Sequence, residues 1–148
     1  MSYVLDTNVL LYYVRDGETR NYIAKEYDPF SQEDQPVISI VTLGEIYVLA
    51  AKNGWGQTRL AKLDKLITQC QVVEINNNAL VSMYIEIEHL NLNIHPSLSH
   101  GATDKQMGKN DIWIAATAAV SKLPLITSDA GFKHLDPIII NLNLYVVK

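Results

Sequence analysis

The stretch Tyr3-Val4-Leu5-Asp6-Thr7-Asn8-Val9-Leu10-Leu11-Tyr12-Tyr13-Val14 decides the fold. Its first three residues read as a short apolar strand. Residues 7–14 then read as a helix carrying Val9, Leu10, Tyr13 and Val14 on one side. Between them stands Asp6, an acid at the junction of a buried strand and a helix. Working outward, the same alternation recurs. Residues 37–41 form a continuous apolar and β-branched run after Pro36, as expected for a strand covered on both faces. A helix is expected over 42–52, stopped by Asn53-Gly54. Further helices are expected over 18–27, 56–69, 78–90 and 110–122, and strands over 72–75, 125–127 and 144–147. Residues 95–109, polar and carrying Pro96, Gly101 and Gly108, read as a loop.

Strands separated by helices imply crossover connections and a parallel sheet. The expected architecture is a three-layer α/β/α domain with a central, mainly parallel sheet of four to five strands, spanning residues 1–148 as one unit. The length of 148 residues suits a single core. With 12 basic and 16 acidic residues the net charge is -4, which excludes a strongly basic nucleic-acid binder; any nucleic-acid contact must use local basic patches or bound cations. Cys70 is the only cysteine, so disulfides within the chain and cysteine-built zinc sites are excluded. A reducing, cytoplasmic setting is expected, with no leader pattern and no membrane-length apolar run.

In parallel α/β sheets ligands bind outside the carboxyl ends of the strands, where Asp6 sits. Three more acids fall at comparable places. Glu45 follows the second strand, Asp111 opens the Ala-rich helix, and Asp129 follows the late strand Leu125-Ile126-Thr127. Each has a simple local role available. Asp6 suits a helix N-cap, and Thr42 with Glu45 matches a capping box. Asp111 complements a helix dipole with Asn110 as cap, and Asp129 suits a turn. Capping alone gives no reason to gather four charges on one rim. Two carboxylates 5 Å apart repel by about 3 kcal/mol at an effective dielectric near 20. A hard divalent cation, Mg²⁺ or Mn²⁺, does give one. Thr7, Asn8, Asn110, Thr127 and Ser128 are placed to hydrogen-bond the carboxylates or their water.

Asp6-Thr7-Asn8, Glu45, Asn110-Asp111 and Thr127-Ser128-Asp129, in that order and spacing, resemble the PIN-domain family, and within it the VapC-type toxin ribonucleases. The resemblance runs from Tyr3 to about Phe132. It implies a metal-dependent endoribonuclease acting on RNA, a small antitoxin partner and a homodimer. It also implies that Asp6, Glu45, Asp111 and Asp129 are the catalytic, metal-binding acids. Lys109 and Lys133 are candidate phosphate contacts, with Lys105 and His134 nearby. Arg59, Lys62 and Lys65 read as solvated surface. Tyr22 and Ile23, on a weakly apolar helix, are candidates for meeting an antitoxin or a second subunit. The four histidines show no metal-ligand spacing, and His95 and His100 are expected in an exposed loop. The competing reading is a non-catalytic PIN-like module that binds protein or RNA.

Overall fold

Apolar side chains point to both sides of each short strand, so both sides need a cover. In the computed structural model, which describes residues 2–31 and 33–148, both are covered. The strands are β1 (Val4–Leu5), β2 (Val37–Ser39), β3 (Gln71–Val73), β4 (Leu125–Thr127) and β5 (Leu142–Leu144). All pair in parallel, in the order β3-β2-β1-β4-β5. The helices are α1 (Thr7–Arg15), α2 (Glu18–Glu26), α3 (Ile40–Lys52), α4 (Gln57–Thr68), α5 (Asn78–Asn91) and α6 (Lys109–Ser121), with a 3-10 helix at Ala130–Leu135.

The pleat sorts the strand residues between two cores. Val4, Val37 and Leu125 face one core with Ile87 and Leu90 of α5, Ile112 and Ala115 of α6, and Phe132. Leu5, Ile38 and Ile126 face the other with Val9 and Leu10 of α1, Ile23 of α2, Ile46 of α3 and Leu63 of α4. Burying one such aliphatic side chain is worth about 2 kcal/mol. The register is tightly specified, because a one-residue slip of β1 would draw the Asp6 carboxylate into the ladder. On α6, Ala115, Ala116 and Ala118 are buried, so that this helix packs closely. The three-layer α/β/α arrangement follows.

Some expected boundaries differ from the structure, and the reason is shared. The second strand ends at Ser39 rather than residue 41, because the Ser39 hydroxyl accepts the Val41 N–H at 3.2 Å and caps α3. Strand β3, paired residue for residue with β2 from Val37↔Gln71 to Ser39↔Val73, therefore ends at Val73, not at residue 75. Likewise β5 pairs Leu142 to Leu144 against Leu125 to Thr127, and the apolar residues 145–147 run beyond the end of β4. Apolar character predicts burial, whereas the ladder stops where the neighbouring strand stops.

Two other expectations are corrected. Ile23 is fully buried in the core against α1, so it offers nothing to a partner. The segment between α5 and α6 is a loop, but it is pinned. The His95 side chain is only 6% exposed, and its Nδ1 accepts the amides of Ser97 and Leu98. The His100 ring nitrogens are buried, with the ring 5.5 Å from that of His134. Asn93 donates to the Ala102 carbonyl and to Asp104, and Lys105 N–H to the Asn91 carbonyl. No helix among the described residues is long and apolar enough to cross a membrane.

Candidate active site at the carboxyl rim of the sheet

The chain builds the sheet outward from β1 to β2 and β3, then returns to add β4 on the opposite side of β1. Crevices at the carboxyl ends of strands open at such a reversal. Asp6 follows β1 directly, and Thr127 ends β4. Their side chains meet there, the Thr127 hydroxyl donating to Asp6 Oδ2 at 2.6 Å. Asp6 Oδ1 accepts the Thr7 N–H at 2.7 Å, so the carboxylate caps α1 and is tied to β4 as well. It is 5% exposed. Burial pushes its pKa up to about 6; the bonds from Thr127 and Thr7 act against this, and the charges of Glu45 and Asp129 add to it.

Glu45 does not close a capping box, because α3 begins at Ile40 and the cap is Ser39 rather than Thr42. Placed inside the helix, Glu45 reaches across to α1 instead. The Thr7 hydroxyl donates to its Oε1 at 2.8 Å, with the buried Thr42 hydroxyl 3.3 Å away. Asp111 is in the first turn of α6, but the N-cap is Gly108, so Asn110 is a helix residue and not the cap. Among the described residues its carboxylate has no hydrogen-bond or ion-pair partner. Burial raises its pKa to about 6, followed by the negative charges of Asp6, Asp129 and Glu45. Asp129 is exposed at the end of β4 and keeps the local role expected of it, capping the 3-10 helix through Gly131 N–H at 2.8 Å.

The four acids thus share one rim and one electrostatic field without touching. Among the described residues no three His, Cys, Asp or Glu side chains are already gathered into a metal-binding cluster, so an ion at this rim would have to draw the carboxylates together. Nor does any described Lys, Arg or His pair with one of the four; the ion pairs are Arg20 and Lys62 with Asp16, and His95 with Glu86.

Of the supporting polar residues, Thr7 and Thr127 touch acids directly. Asn8 donates to the Ser128 hydroxyl at 2.9 Å, joining the ends of β1 and β4. Asn110 lines two adjoining grooves. One, of about 580 Å³, lies along α3 between Val41, Gly44, Glu45, Val48 and Leu49. The other, of about 320 Å³, holds Glu45, Gly108, Lys109 and Asp111. Lys109 is therefore beside the acids, and Lys133 is exposed on the 3-10 helix. His134 faces Asn91 at 2.6 Å; burial lowers its pKa, helped by His100 and Lys105. Sequence reasoning missed Tyr145, whose hydroxyl donates to Asn8 Oδ1 at 2.8 Å. It lies far along the chain, inside an apolar run that reads as ordinary strand.

The family model of the PIN domain matches residues 3–137. The chain belongs to the PIN-domain family. Solved structures similar to it agree on the fold. VapBC2 from Rickettsia felis, bound to a promoter DNA fragment, gives a TM-score of 0.72 at 20% identity, over 97% of this chain and 98% of that one. VapBC-1 from nontypeable Haemophilus influenzae gives 0.69 at 21%, over 97% and 98%. VapBC-5 from Mycobacterium tuberculosis, of a toxin–antitoxin family, gives 0.59 at 25%, over 99% and 98%. No curated protein sequence matches the chain. Within the family match, all four rim acids and their hydroxyl partners lie inside the matched residues, whereas Tyr145 lies beyond them.

Proposed function

We propose that this PIN domain is a metal-dependent endoribonuclease, the toxin of a toxin–antitoxin pair, using Mg²⁺ or Mn²⁺ held by Asp6, Glu45, Asp111 and Asp129. One observation carries the reading. Asp6 and Asp111 are both pushed up to about 6, partly by the other rim carboxylates, and no described cationic side chain pairs with any of the four. The donors are hard carboxylate oxygens, a set that fits a hard divalent cation. A bound cation would neutralise the rim, activate water and polarise a phosphoryl oxygen.

The chain's own residues supply position. Thr7 orients Glu45, while Thr127 and the Thr7 amide hold both oxygens of Asp6. Lys109, in the groove with Glu45 and Asp111, and Lys133, exposed on the 3-10 helix that Asp129 caps, would draw the phosphates of an RNA strand toward the rim. The antitoxin is proposed from the neighbours, which are toxin–antitoxin complexes. The groove along α3, with Val48 exposed, suits an apolar segment of such a partner. A homodimer is proposed from Val81 and Ile85, one turn apart on α5 and 45% and 47% exposed.

The test is RNA cleavage with Mg²⁺ or Mn²⁺ against EDTA, for the wild type and Asp6→Asn. Cleavage that persists in EDTA, or survives Asp6→Asn, removes the reading. The capping bonds of Asp6 and Asp129 favour the alternative, a non-catalytic module that binds protein or RNA. Melting with and without Mn²⁺ separates the two, since a ligand of the folded state must raise the melting temperature.

A further inference from the structure

The segment after β5 continues beside the end of β4. Tyr145 N–H still donates to the Thr127 carbonyl at 3.0 Å, which turns the side chain inward beside the rim. The ring is 2% exposed and packs edge-on against Tyr12 of α1 with centroids 6.4 Å apart. Its hydroxyl donates to Asn8 Oδ1 at 2.8 Å, and Asn8 Nδ2 donates to Ser128 Oγ at 2.9 Å. Burial raises the phenol's pKa well above its usual value, so it is a donor at neutral pH.

A phenol can donate or accept, so the amide's direction is read from the pairing itself. The Tyr145 hydroxyl meets Oδ1, which leaves Nδ2 facing Ser128. Asn8 follows Asp6 by two residues and Ser128 precedes Asp129 by one. The Thr127 hydroxyl already bridges these ends, donating to Asp6 Oδ2 and accepting the Asp129 N–H at 3.0 Å; the Asn8–Ser128 bond adds a second tie between the same two strand ends.

We infer that Tyr145 is a positioning residue for the rim: through Asn8 and Ser128 it reinforces the tie between the ends of β1 and β4, where Asp6 and Asp129 stand. This rests on the reading of the rim as a metal site. The region that matches the family model stops at residue 137, so this reinforcement comes from a part of the chain outside that match.

Tyr145→Phe keeps the ring and its packing and removes only the hydroxyl. Two readouts are taken on the folded protein: Mn²⁺ affinity by calorimetry, and kcat and KM for RNA cleavage. The expected result is Mn²⁺ affinity and kcat each lower by about fivefold, KM unchanged, and a melting temperature within a few degrees of wild type. Asn8→Ala combined with Tyr145→Phe should be no worse than Asn8→Ala alone, since both break one chain of bonds. Wild-type affinity and kcat in Tyr145→Phe, or strictly additive losses in the double variant, would overturn the inference. A wild type that binds no Mn²⁺ overturns the metal reading, and this inference with it, so the two failures are told apart.

Discussion

Asp6 and Asp111 reach the same pKa, about 6, by different routes. Asp6 is the more deeply buried, but both of its oxygens accept hydrogen bonds, and these oppose the burial. Asp111 is half-buried and accepts none among the described residues. Three neighbouring carboxylates add to its shift and nothing offsets them. One acid is held by the strands, while the other is carried on the first turn of α6 and is ready for an external partner. A site assembled this way has a rigid wall and an open wall. The open wall faces the groove that also holds Lys109.

The largest effect tests whether the two walls serve one chemistry. Asp6→Asn and Asp111→Asn should each lower metal-dependent RNA cleavage by more than about a hundredfold, because each removes a proposed ligand rather than a supporting bond. Initial rates at saturating Mn²⁺ measure this. If only one variant loses activity, the comparison breaks and the rim is not a shared site.

Stability against pH is the next largest effect. Both carboxyls have folded pKa values near 6 against an ordinary 3.8, so between these limits the folded state binds more protons than the unfolded one. The metal-free protein should therefore lose stability as pH rises from about 4 through 6, with the penalty complete above that. Asp111→Asn should flatten the curve and raise stability at pH 7, having no hydrogen bonds to lose. Asp6→Asn should flatten it as well but gain less, because an amide cannot accept from both Thr7 and Thr127 at the same two atoms. Denaturation in EDTA across pH 4–8 measures both.

Thr127→Val sharpens the comparison from the other side. It removes the hydroxyl that donates to Asp6 and accepts the Asp129 N–H at 3.0 Å, and leaves shape and volume nearly unchanged. The expected cost is about 2 kcal/mol at pH 7, the range for a hydrogen bond to a charged group. The share of that cost owed to Asp6 should shrink below pH 5 as Asp6 takes up a proton, while the share owed to the Asp129 amide stays. Urea titration at the two pH values checks it. The smallest effects belong to the lysines. Lys109→Ala and Lys133→Ala should each weaken RNA binding and reduce the slope of log affinity against log salt by about one, leaving kcat little changed. Binding measured over a salt series decides between a phosphate contact and ordinary surface.

The residues show why some of this was legible in advance. The parallel fold could be read from Tyr3-Val4-Leu5, the run at 37–39 and Leu125-Ile126-Thr127, because strands buried on both faces lose their polar alternation. Asp6 and Asp129 could be placed at the rim because strand ends are marked by where apolar runs stop. The local role of Glu45 could not be read from sequence. Its capping box was chemically sound, but Ser39 caps the helix first and moves Glu45 into the second turn, toward Thr7. The end of β5 was not legible either, since it depends on the length of β4.

Residue order alone determined the strand–helix alternation, the rim on which the acids fall and the absence of a net basic charge, because these follow from local burial patterns and composition. Tertiary structure alone decided which hydroxyl serves which carboxylate, that Asp111 has no partner of its own among the described residues, and that Tyr145 reaches Asn8 from 137 positions away. Such contacts depend on how distant segments pack in three dimensions. A side chain's own neighbours in the sequence carry no record of the donors that folding will bring to it.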